Sequence, residues 1–213
     1  MDLLQLMSKK LKNKYLPYFL ILSTIFILIG NFRTYLVMGE SDLPSFISGD
    51  KIIINRSAYD ITIPFSNLKF NRWRKPERGD MILCHFSKSD KKDFWLKRII
   101  GIPGDTIQIK RNKIYINRKQ LKYEIIKKES FDIQFDDSMG ELIAVESGRG
   151  LEHFVTFSES ENILSNFGPM IISVDNYFVL GDNRTNSLDS RFLGLVPRED
   201  IFGKYLFRIF RKG

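Results

Sequence analysis

The chain has 213 residues, 43% of them hydrophobic, and a formal net charge of +8. Its length fits one domain with an anchor and excludes a large multidomain enzyme, while its hydrophobic content excludes a disordered protein. The single cysteine, Cys84, excludes an internal disulfide and a zinc site built from thiolates. The positive charge indicates a polyanionic partner, either nucleic acid or an anionic membrane surface.

The first predicted element is a membrane helix close to the N-terminus. Residues 15–32 form a run of 18 without a charged side chain, and a helix of that length rises about 27 Å, close to the thickness of a bilayer's hydrocarbon core. The basic residues before it place the N-terminus in the cytoplasm and the rest outside; they are Lys9, Lys10, Lys12 and Lys14. We therefore predict a cytoplasmic basic N-terminus over residues 1–14, a transmembrane signal anchor over 15–34 and an extracytoplasmic β-rich domain over 35–213.

Two other interpretations of this apolar run are weaker. A buried helix of a soluble protein is usually shorter or has a polar face, and this run has none. A cleaved signal peptide ends at small residues, whereas this run ends at Asn31-Phe32-Arg33. The segment is therefore predicted to be an uncleaved anchor.

Beyond residue 35 the sequence predicts short strands and no long helix. Apolar runs indicate core strands, and two alternating runs joined by Arg111-Asn112 indicate a hairpin. Gly-Asp pairs at residues 49–50, 79–80, 104–105 and 181–182 indicate turns. The predicted strands are 51–55, 81–84, 95–100, 106–110, 113–117, 177–180 and 205–210.

The region from about residue 127 to 173 is polar and weakly patterned, so it is predicted to be irregular. We assign it to a less regular insertion over 106–173, between core segments 35–105 and 174–213. Its acidic residues are predicted to form a solvated face; they are Asp132, Asp136, Asp137, Glu141 and Glu146. The predicted fold class is mainly β, an antiparallel sheet domain behind a single N-terminal transmembrane helix.

Metal and cofactor chemistry have little support in the sequence. The two histidines, His85 and His153, are not spaced as metal ligands, and no glycine-rich phosphate loop precedes a helix. We therefore predict no metal and no cofactor. Three segments instead concentrate unusual residues: 39–45, 95–105 with Lys97 in an apolar strand, and the polar loop 181–191. Each alone has an ordinary explanation, as a turn hydroxyl, a snorkelling lysine and a charged hairpin.

Together the three segments resemble the bacterial type I signal peptidases, also called leader peptidases, and the resemblance extends from the anchor to the last strand. Lys97-Arg-Ile-Ile-Gly-Ile-Pro-Gly-Asp105 and Gly181-Asp-Asn-Arg-Thr-Asn-Ser-Leu-Asp-Ser-Arg191 are similar to two motifs specific to that family. The resemblance implies that Ser41 is the nucleophile, Lys97 the general base and Ser187 the residue that orients the lysine.

The same resemblance implies supporting roles for further residues. Asp189 and Arg191 match a pair that supports the site, and Asp182, Asn183 and Arg184 match the start of that loop. Gly39 precedes the nucleophile by two residues, where some family members place an oxyanion-hole serine and others a glycine. With glycine there, backbone N–H groups such as that of Ser41 would bind the oxyanion.

A Ser-Lys site makes physical demands that this sequence can meet. Serine is a weak nucleophile and needs a base beside it, and lysine accepts a proton only when it is neutral. Burial favours the neutral amine, and Lys97 is flanked by Leu96, Ile99 and Ile100. By strand alternation, Arg98 is predicted to point to the opposite face. Ser187 is predicted to hold the neutral amine by a hydrogen bond.

The first segment departs from the family pattern at two positions. Asp42 stands where the family usually has methionine, and Ser45 stands where it has threonine. We assign Asp42 and Leu96 to the substrate pocket. A carboxylate at position 42 either narrows or polarises that pocket, or pairs with Lys97 and weakens the base.

The predicted function is a membrane-anchored serine endopeptidase that removes signal peptides from exported preproteins, with small residues selected at positions −1 and −3. Its partners are preproteins and the lipid bilayer, without nucleic acid.

The basic cluster Arg72, Arg74 and Lys75 beside Trp73 either rests on anionic lipid or is a solvated loop. One alternative, which Asp42 favours, is an atypical or non-catalytic signal-peptidase paralogue that binds export substrates or partners. Another is a nucleic-acid-associated Ser-Lys repressor, which would need a helix-turn-helix in place of the anchor.

Overall fold

The first element is a long N-terminal helix, α1 (Leu3–Asn31). The structure is a computed structural model and describes residues 3–66, 68–86, 93–127, 141–158 and 163–210. The 18-residue stretch Lys14–Asn31 has a mean hydropathy of 1.4, so it is long and apolar enough to cross a bilayer by length and composition. The helix ends at Asn31, three residues before the predicted end of the anchor at residue 34, and residues 32–34 pair with a neighbouring strand as part of β1.

Antiparallel strands make up most of the described chain after α1. They are β1 (Phe32–Leu36), β2 (Lys51–Asn55), β3 (Asp60–Thr62), β4 (Lys69–Arg72), β5 (Met81–Cys84), β6 (Trp95–Gly101), β7 (Thr106–Lys110), β8 (Lys113–Ile116), β9 (Lys119–Gln120), β10 (Lys122–Ile126), β11 (Glu141–Gly148), β12 (Leu151–Ser158), β13 (Phe167–Ile171), β14 (Asn176–Leu180), β15 (Val196–Pro197) and β16 (Ile201–Phe210). A short helix, α2 (Ser190–Leu193), lies between β14 and β15. The predicted mainly β fold is confirmed.

The central sheet contains seven strands in the order β1-β2-β16-β5-β6-β14-β15. The predicted core strands at 51–55, 81–84, 95–100 and 177–180 all lie in it, and the run 205–210 forms the second half of the longer β16. Strand β6 is interior, between β5 and β14. Apolar residues of β6 reach three different core clusters: Leu96, Ile99 and Ile100. Any polar side chain that β6 directs inward is therefore shielded from solvent.

The predicted hairpin between residues 106 and 117 is confirmed as β7 and β8, which belong to a second sheet in the order β13-β7-β8-β9. Arg111 and Asn112 have φ angles of 47° and 64°, the left-handed values that a two-residue hairpin turn requires. Gly49, Gly79 and Gly104 also have positive φ, which confirms the turns predicted at three of the four Gly-Asp pairs.

The prediction of irregular structure over residues 127–173 is wrong for much of the described part. Strands β10, β11 and β12 form a three-stranded antiparallel sheet, and β13 joins the second sheet. The alternation of apolar and polar residues is hard to recognise in the sequence of β11 and β12, because two buried positions, Glu146 and Thr156, are polar and fully shielded from solvent. Glu146 therefore contradicts the predicted solvated acidic face. Asp132, Asp136 and Asp137 lie outside the described residues.

Candidate active site

Ser41 lies in the turn segment that links β1 to β2, and the loop after β14 holds it in place. The backbone N–H of Asn183 donates to the Ser41 carbonyl at 3.0 Å, and its side-chain amide donates to the Glu40 carbonyl at 3.2 Å. Gly39 has a φ of +79°, a conformation that side-chain-bearing residues rarely adopt. The chain thus turns at Gly39 and presents Ser41 beside the central sheet.

Lys97 reaches Ser41 from the interior strand β6. Its Nζ lies 2.7 Å from Ser41 Oγ, although the two residues are 56 positions apart in sequence. It also donates to the Leu96 carbonyl at 2.7 Å. The Lys97 residue is only 1% exposed. The structure thus brings together the predicted nucleophile and the predicted base.

Asp42 makes a third contact with this pair. Its Oδ2 accepts a hydrogen bond from Ser41 Oγ at 2.9 Å and lies 3.5 Å from Lys97 Nζ. Burial raises the pKa of Asp42 to about 6, although the Lys97 charge acts to lower it. Of the two effects predicted for Asp42, pairing with Lys97 is therefore observed directly.

The predicted hydrogen bond between Ser187 and Lys97 is not formed. Among the described residues nothing accepts from or donates to the buried Ser187 hydroxyl. The Lys97 amine is instead directed to Ser41, the Leu96 carbonyl and Asp42. Ser187 nevertheless packs close to the segment around Ser41. Both residues approach Gly181 so closely that a Cβ there would overlap the Ser187 hydroxyl and the Ser41 carbonyl.

Gly181 has a different role from the one predicted for it. Its φ is not among the positive values found at the other three Gly-Asp pairs, although the strand ends at Leu180 and the chain bends at Asp182. The position instead needs a residue without a side chain, since three segments approach one another there.

A cleft of about 520 Å³ opens beside Ser41. One wall is formed by the segment from Val37 to Asp42, and the other by the segment from Phe94 to Lys97. Asp42 and Leu96, the residues assigned to substrate contact, both line it. Both are nearly inaccessible, at 3% exposed, so they form the floor of the cleft. The cleft therefore lies alongside Ser41, the predicted nucleophile.

The chain is similar to several known proteins. Residues 11–210 match the family described as "Signal peptidase, peptidase S26". Signal peptidase I P of Bacillus subtilis subsp. natto is 31% identical over 174 residues, which cover 81% of this chain and 74% of that protein. Signal peptidase I of Aquifex aeolicus (strain VF5) is also 31% identical, with 88% of this chain and 79% of that protein covered. The chain belongs to the signal peptidase family.

Membership of this family gives the reaction and the class of substrate. The chain is a type I signal peptidase, a serine protease that removes signal peptides from preproteins. The family is associated with membranes, and the apolar helix α1 fits that location.

In this signal peptidase, Asp182 connects the segment around Ser41 to the sheet. Its carboxylate accepts from Arg98 Nε at 2.8 Å and Nη2 at 2.6 Å, and from the Ser45 hydroxyl at 2.5 Å. Burial alone would raise the pKa of Asp182, but Arg98 holds it at about 2. Because Arg98 is turned toward Asp182 while Lys97 is turned toward Ser41, the predicted alternation along β6 is observed.

A second buried ion pair involves the loop of residues 181–191, which follows β14. Arg184 donates to both carboxylate oxygens of Glu146, at 2.5 and 2.7 Å, and Tyr123 donates to the same group at 2.7 Å. Burial alone would raise the pKa of Glu146, but Arg184 holds it below its ordinary value. His153 lies 3.4 Å from Glu146, and burial lowers its pKa to about 4, so His153 is neutral at physiological pH.

Sequence reasoning misses Glu146 as a partner of the motif loop. A buried arginine in a motif requires an anionic partner, and that requirement is the available signal. The pair Asp189–Arg191, in contrast, lies within the motif itself. Arg191 donates to Asp189 at 2.9 and 2.8 Å and to the Arg184 carbonyl at 2.7 Å, while Asp189 accepts from the Gly181 N–H. These contacts hold the loop that positions Ser41.

Replacing Arg184 by leucine is expected to lower the free energy of unfolding by about 3–5 kcal/mol, because the substitution leaves the Glu146 carboxylate buried without its cation. Denaturant unfolding followed by circular dichroism measures this effect. The matched control is Arg72→Leu, which removes the exposed ion pair with Asp175 and should leave the midpoint nearly unchanged. Equal effects of the two substitutions would contradict the structural role of Arg184.

Among the described residues, no group of three or more His, Cys, Asp or Glu side chains is arranged to hold a metal ion. The buried Cys84 lies near the site, and burial raises the pKa of its thiol to about 12. A thiol with so high a pKa is a poor nucleophile at neutral pH. Ser41 therefore remains the candidate nucleophile.

Proposed function

We propose that the chain hydrolyses the signal peptide bond with Ser41 as the nucleophile and Lys97 as the general base. The observation that carries this proposal is the 2.7 Å contact between a buried lysine amine and the hydroxyl at the base of the cleft. In its neutral form, Lys97 takes the Ser41 proton as Oγ attacks the substrate carbonyl carbon. The resulting ammonium then protonates the departing amine, and an acyl-enzyme on Ser41 remains.

Hydrolysis of the acyl-enzyme reverses these roles. Lys97, neutral again, takes a proton from a water molecule that attacks the ester carbonyl, and it returns the proton to Ser41 Oγ. The Ser41 N–H is proposed to stabilise the oxyanion in both steps. This proposal is supported by the fact that no acceptor for the Ser41 N–H lies within the described part of the chain.

The substrate is proposed to bind as an extended chain in the cleft, where it adds backbone hydrogen bonds to a strand. The cleft floor is closed by Asp42 and Leu96, which leaves room for small side chains near the nucleophile. This supports selection of small residues at positions −1 and −3 of an exported preprotein. The four lysines before the apolar run of α1 support a cytoplasmic N-terminus, with the catalytic domain on the outer side.

Cleavage of a purified preprotein in detergent micelles tests this proposal. Intact mass measurement should show a single cut after alanine at position −1, and a leucine at that position should reduce the cut at least about 10-fold because it overfills the pocket. A cut at other peptide bonds would contradict the substrate assignment. Binding of the preprotein without any cleavage would favour the non-catalytic alternative, for which Asp42 is the supporting feature.

A further inference from the structure

Asp42 contacts both members of the proposed dyad, at a position where the family resemblance predicts methionine. One carboxylate oxygen, Oδ2, serves both contacts, at 2.9 Å to Ser41 Oγ and 3.5 Å to Lys97 Nζ. The other oxygen, Oδ1, is buried and has no hydrogen-bond partner among the described residues. Lys97 is therefore the cation through which this buried carboxylate is compensated.

The hydrogen bonds define a resting arrangement of the three groups. The Ser41 hydroxyl points its proton at Asp42, while Lys97 donates to Ser41 Oγ. As an ammonium ion in this arrangement, Lys97 has only N–H donors and no lone pair with which to accept the Ser41 proton. A buried carboxylate at this distance favours the ammonium form of lysine. Reaching the catalytic form thus requires that Lys97 lose a proton and that the Ser41 hydroxyl turn toward it.

We propose that Asp42 controls the charge of Lys97, holding it as an ammonium ion in the resting enzyme and shifting proteolysis to alkaline pH. The inference rests on the proposed Ser41–Lys97 mechanism. When the pH rises, Lys97 gives its proton to hydroxide, which leaves as water. The Ser41 hydroxyl then donates to the neutral amine, and the negative charge remains on Asp42.

Of the ionisable groups around Ser41, Asp42 and Lys97, only Asp42 is placed to control the charge of Lys97. Asp182 also acts electrostatically on Asp42, but the negative charge of Asp182 is compensated by Arg98. Cys84, from the neighbouring strand β5, is a neutral thiol at the pH values concerned, since burial raises its pKa to about 12. Tyr35 lines the cleft, and burial and nearby carboxylates raise its pKa, so it is also neutral.

The remaining carboxylates are outside hydrogen-bond reach of the amine. Glu40 lines the cleft and Asp93 is exposed at its rim, and neither forms an ion pair with Lys97 in the described structure. Asp42 itself is ionised at neutral and alkaline pH, because its raised pKa is still only about 6. Its negative charge therefore acts on Lys97 at neutral and alkaline pH.

The test is the pH dependence of kcat/KM for preprotein cleavage by the parent, Asp42→Asn and Asp42→Met enzymes. Both substitutions remove the charge, and asparagine keeps the shape. The rising limb of the profile should move at least about one pH unit lower, and kcat/KM at pH 7 should rise about 10-fold or more. The matched control is Asp93→Asn, which removes a carboxylate at the rim and should leave the limb in place.

Two results would overturn the proposal. An unmoved limb in both Asp42 variants would show that the carboxylate does not set the charge of Lys97. A loss of activity at every pH would instead show that Asp42 takes part directly in moving the Ser41 proton.

A second measurement keeps the proposal separate from the function on which it rests. The ¹³Cε signal of Lys97, assigned with a Lys97→Arg variant in lysine-labelled protein, reports the charge without turnover. It should change at lower pH in Asp42→Asn than in the parent. If no preprotein is cleaved by any form while this signal moves as expected, the proposed function fails and the charge coupling stands. If the signal does not move, the coupling fails, whatever the activity.

Discussion

Replacing Ser41 by alanine is expected to lower the rate of preprotein cleavage on the order of 10⁴-fold or more, because the covalent pathway loses its nucleophile. The structure supports this size of effect, since Ser41 Oγ is the hydroxyl that Lys97 contacts at the base of the cleft. The neighbouring thiol of Cys84 cannot replace it, because burial raises its pKa to about 12. Single-turnover cleavage of a labelled preprotein, with product separated on a gel, measures the rate.

The fold should not change in this variant. Ser41 contributes its carbonyl, not its hydroxyl, to the backbone hydrogen bond with Asn183. The unfolding midpoint of Ser41→Ala is expected to fall only modestly, because the hydroxyl's hydrogen bonds to Asp42 and Lys97 are lost while the ion pair between these two residues remains. Ser173→Ala serves as the matched control, because Ser173 is an exposed serine in the turn before β14. Equal cleavage by the parent and Ser41→Ala would remove Ser41 from the mechanism and favour a binding protein over a peptidase.

Replacing Lys97 by methionine is expected to lower kcat/KM on the order of 10³-fold, because the general base and the later proton donor are both lost. Methionine is unbranched and fills the buried channel on β6 with little change in packing. The matched control is Lys119→Met, which alters an exposed lysine of the short strand β9. Steady-state cleavage at several preprotein concentrations separates the expected fall in kcat from any change in KM.

The Lys97 substitution also leaves the Asp42 carboxylate without its cation. A double variant, Lys97→Met with Asp42→Met, removes both charges and so tests whether the loss of activity comes from the missing base or from a lone buried carboxylate. The mechanism predicts that the double variant stays inactive. Recovery of activity in the double variant would show that Lys97 only compensates Asp42 and takes no part in proton transfer.

The sequence is sufficient for those parts of the fold in which apolar patterning and turn residues agree. Strands β2, β5, β6 and β14 are short apolar runs, and the hairpin of β7 and β8 has an alternating pattern around Arg111-Asn112. The predicted end of the anchor at residue 34 falls within the segment Phe32–Leu36, because hydropathy alone does not mark the end of the helix at Asn31. Only pairing with β2 assigns those residues to a strand.

Strands β11 and β12 are not predicted from the sequence because some of the groups buried around them are charged. Glu146 occupies a fully buried strand position and is compensated by Arg184, 38 residues later in the chain. A pattern of hydrophobic residues cannot show that a carboxylate and a guanidinium are buried together. The same limit applies to Asp182 and Arg98, which are separated by 84 residues.

The site itself is predictable through family resemblance, and its detailed contacts are not. The motifs indicate that Ser41 and Lys97 meet, and the structure has them in contact. The predicted hydrogen bond from Ser187 is absent, and the Lys97 amine contacts Ser41, the Leu96 carbonyl and Asp42 instead. That outcome depends on a few ångströms of side-chain geometry, which motif spacing does not determine. The departure at position 42 is nevertheless visible in the sequence, and pairing with Lys97 is one of its two predicted effects.

The central claim is that Lys97 activates Ser41 for covalent attack, and acylation of the enzyme tests it most directly. The protein is incubated with a peptide carrying a serine-reactive phosphonate after alanine, and the modified residue is located by peptide mass spectrometry. The mechanism predicts labelling of Ser41 in the parent and labelling at least about 100-fold slower in Lys97→Met. Labelling of a different residue, or equally fast labelling of Ser41 in Lys97→Met, would contradict it.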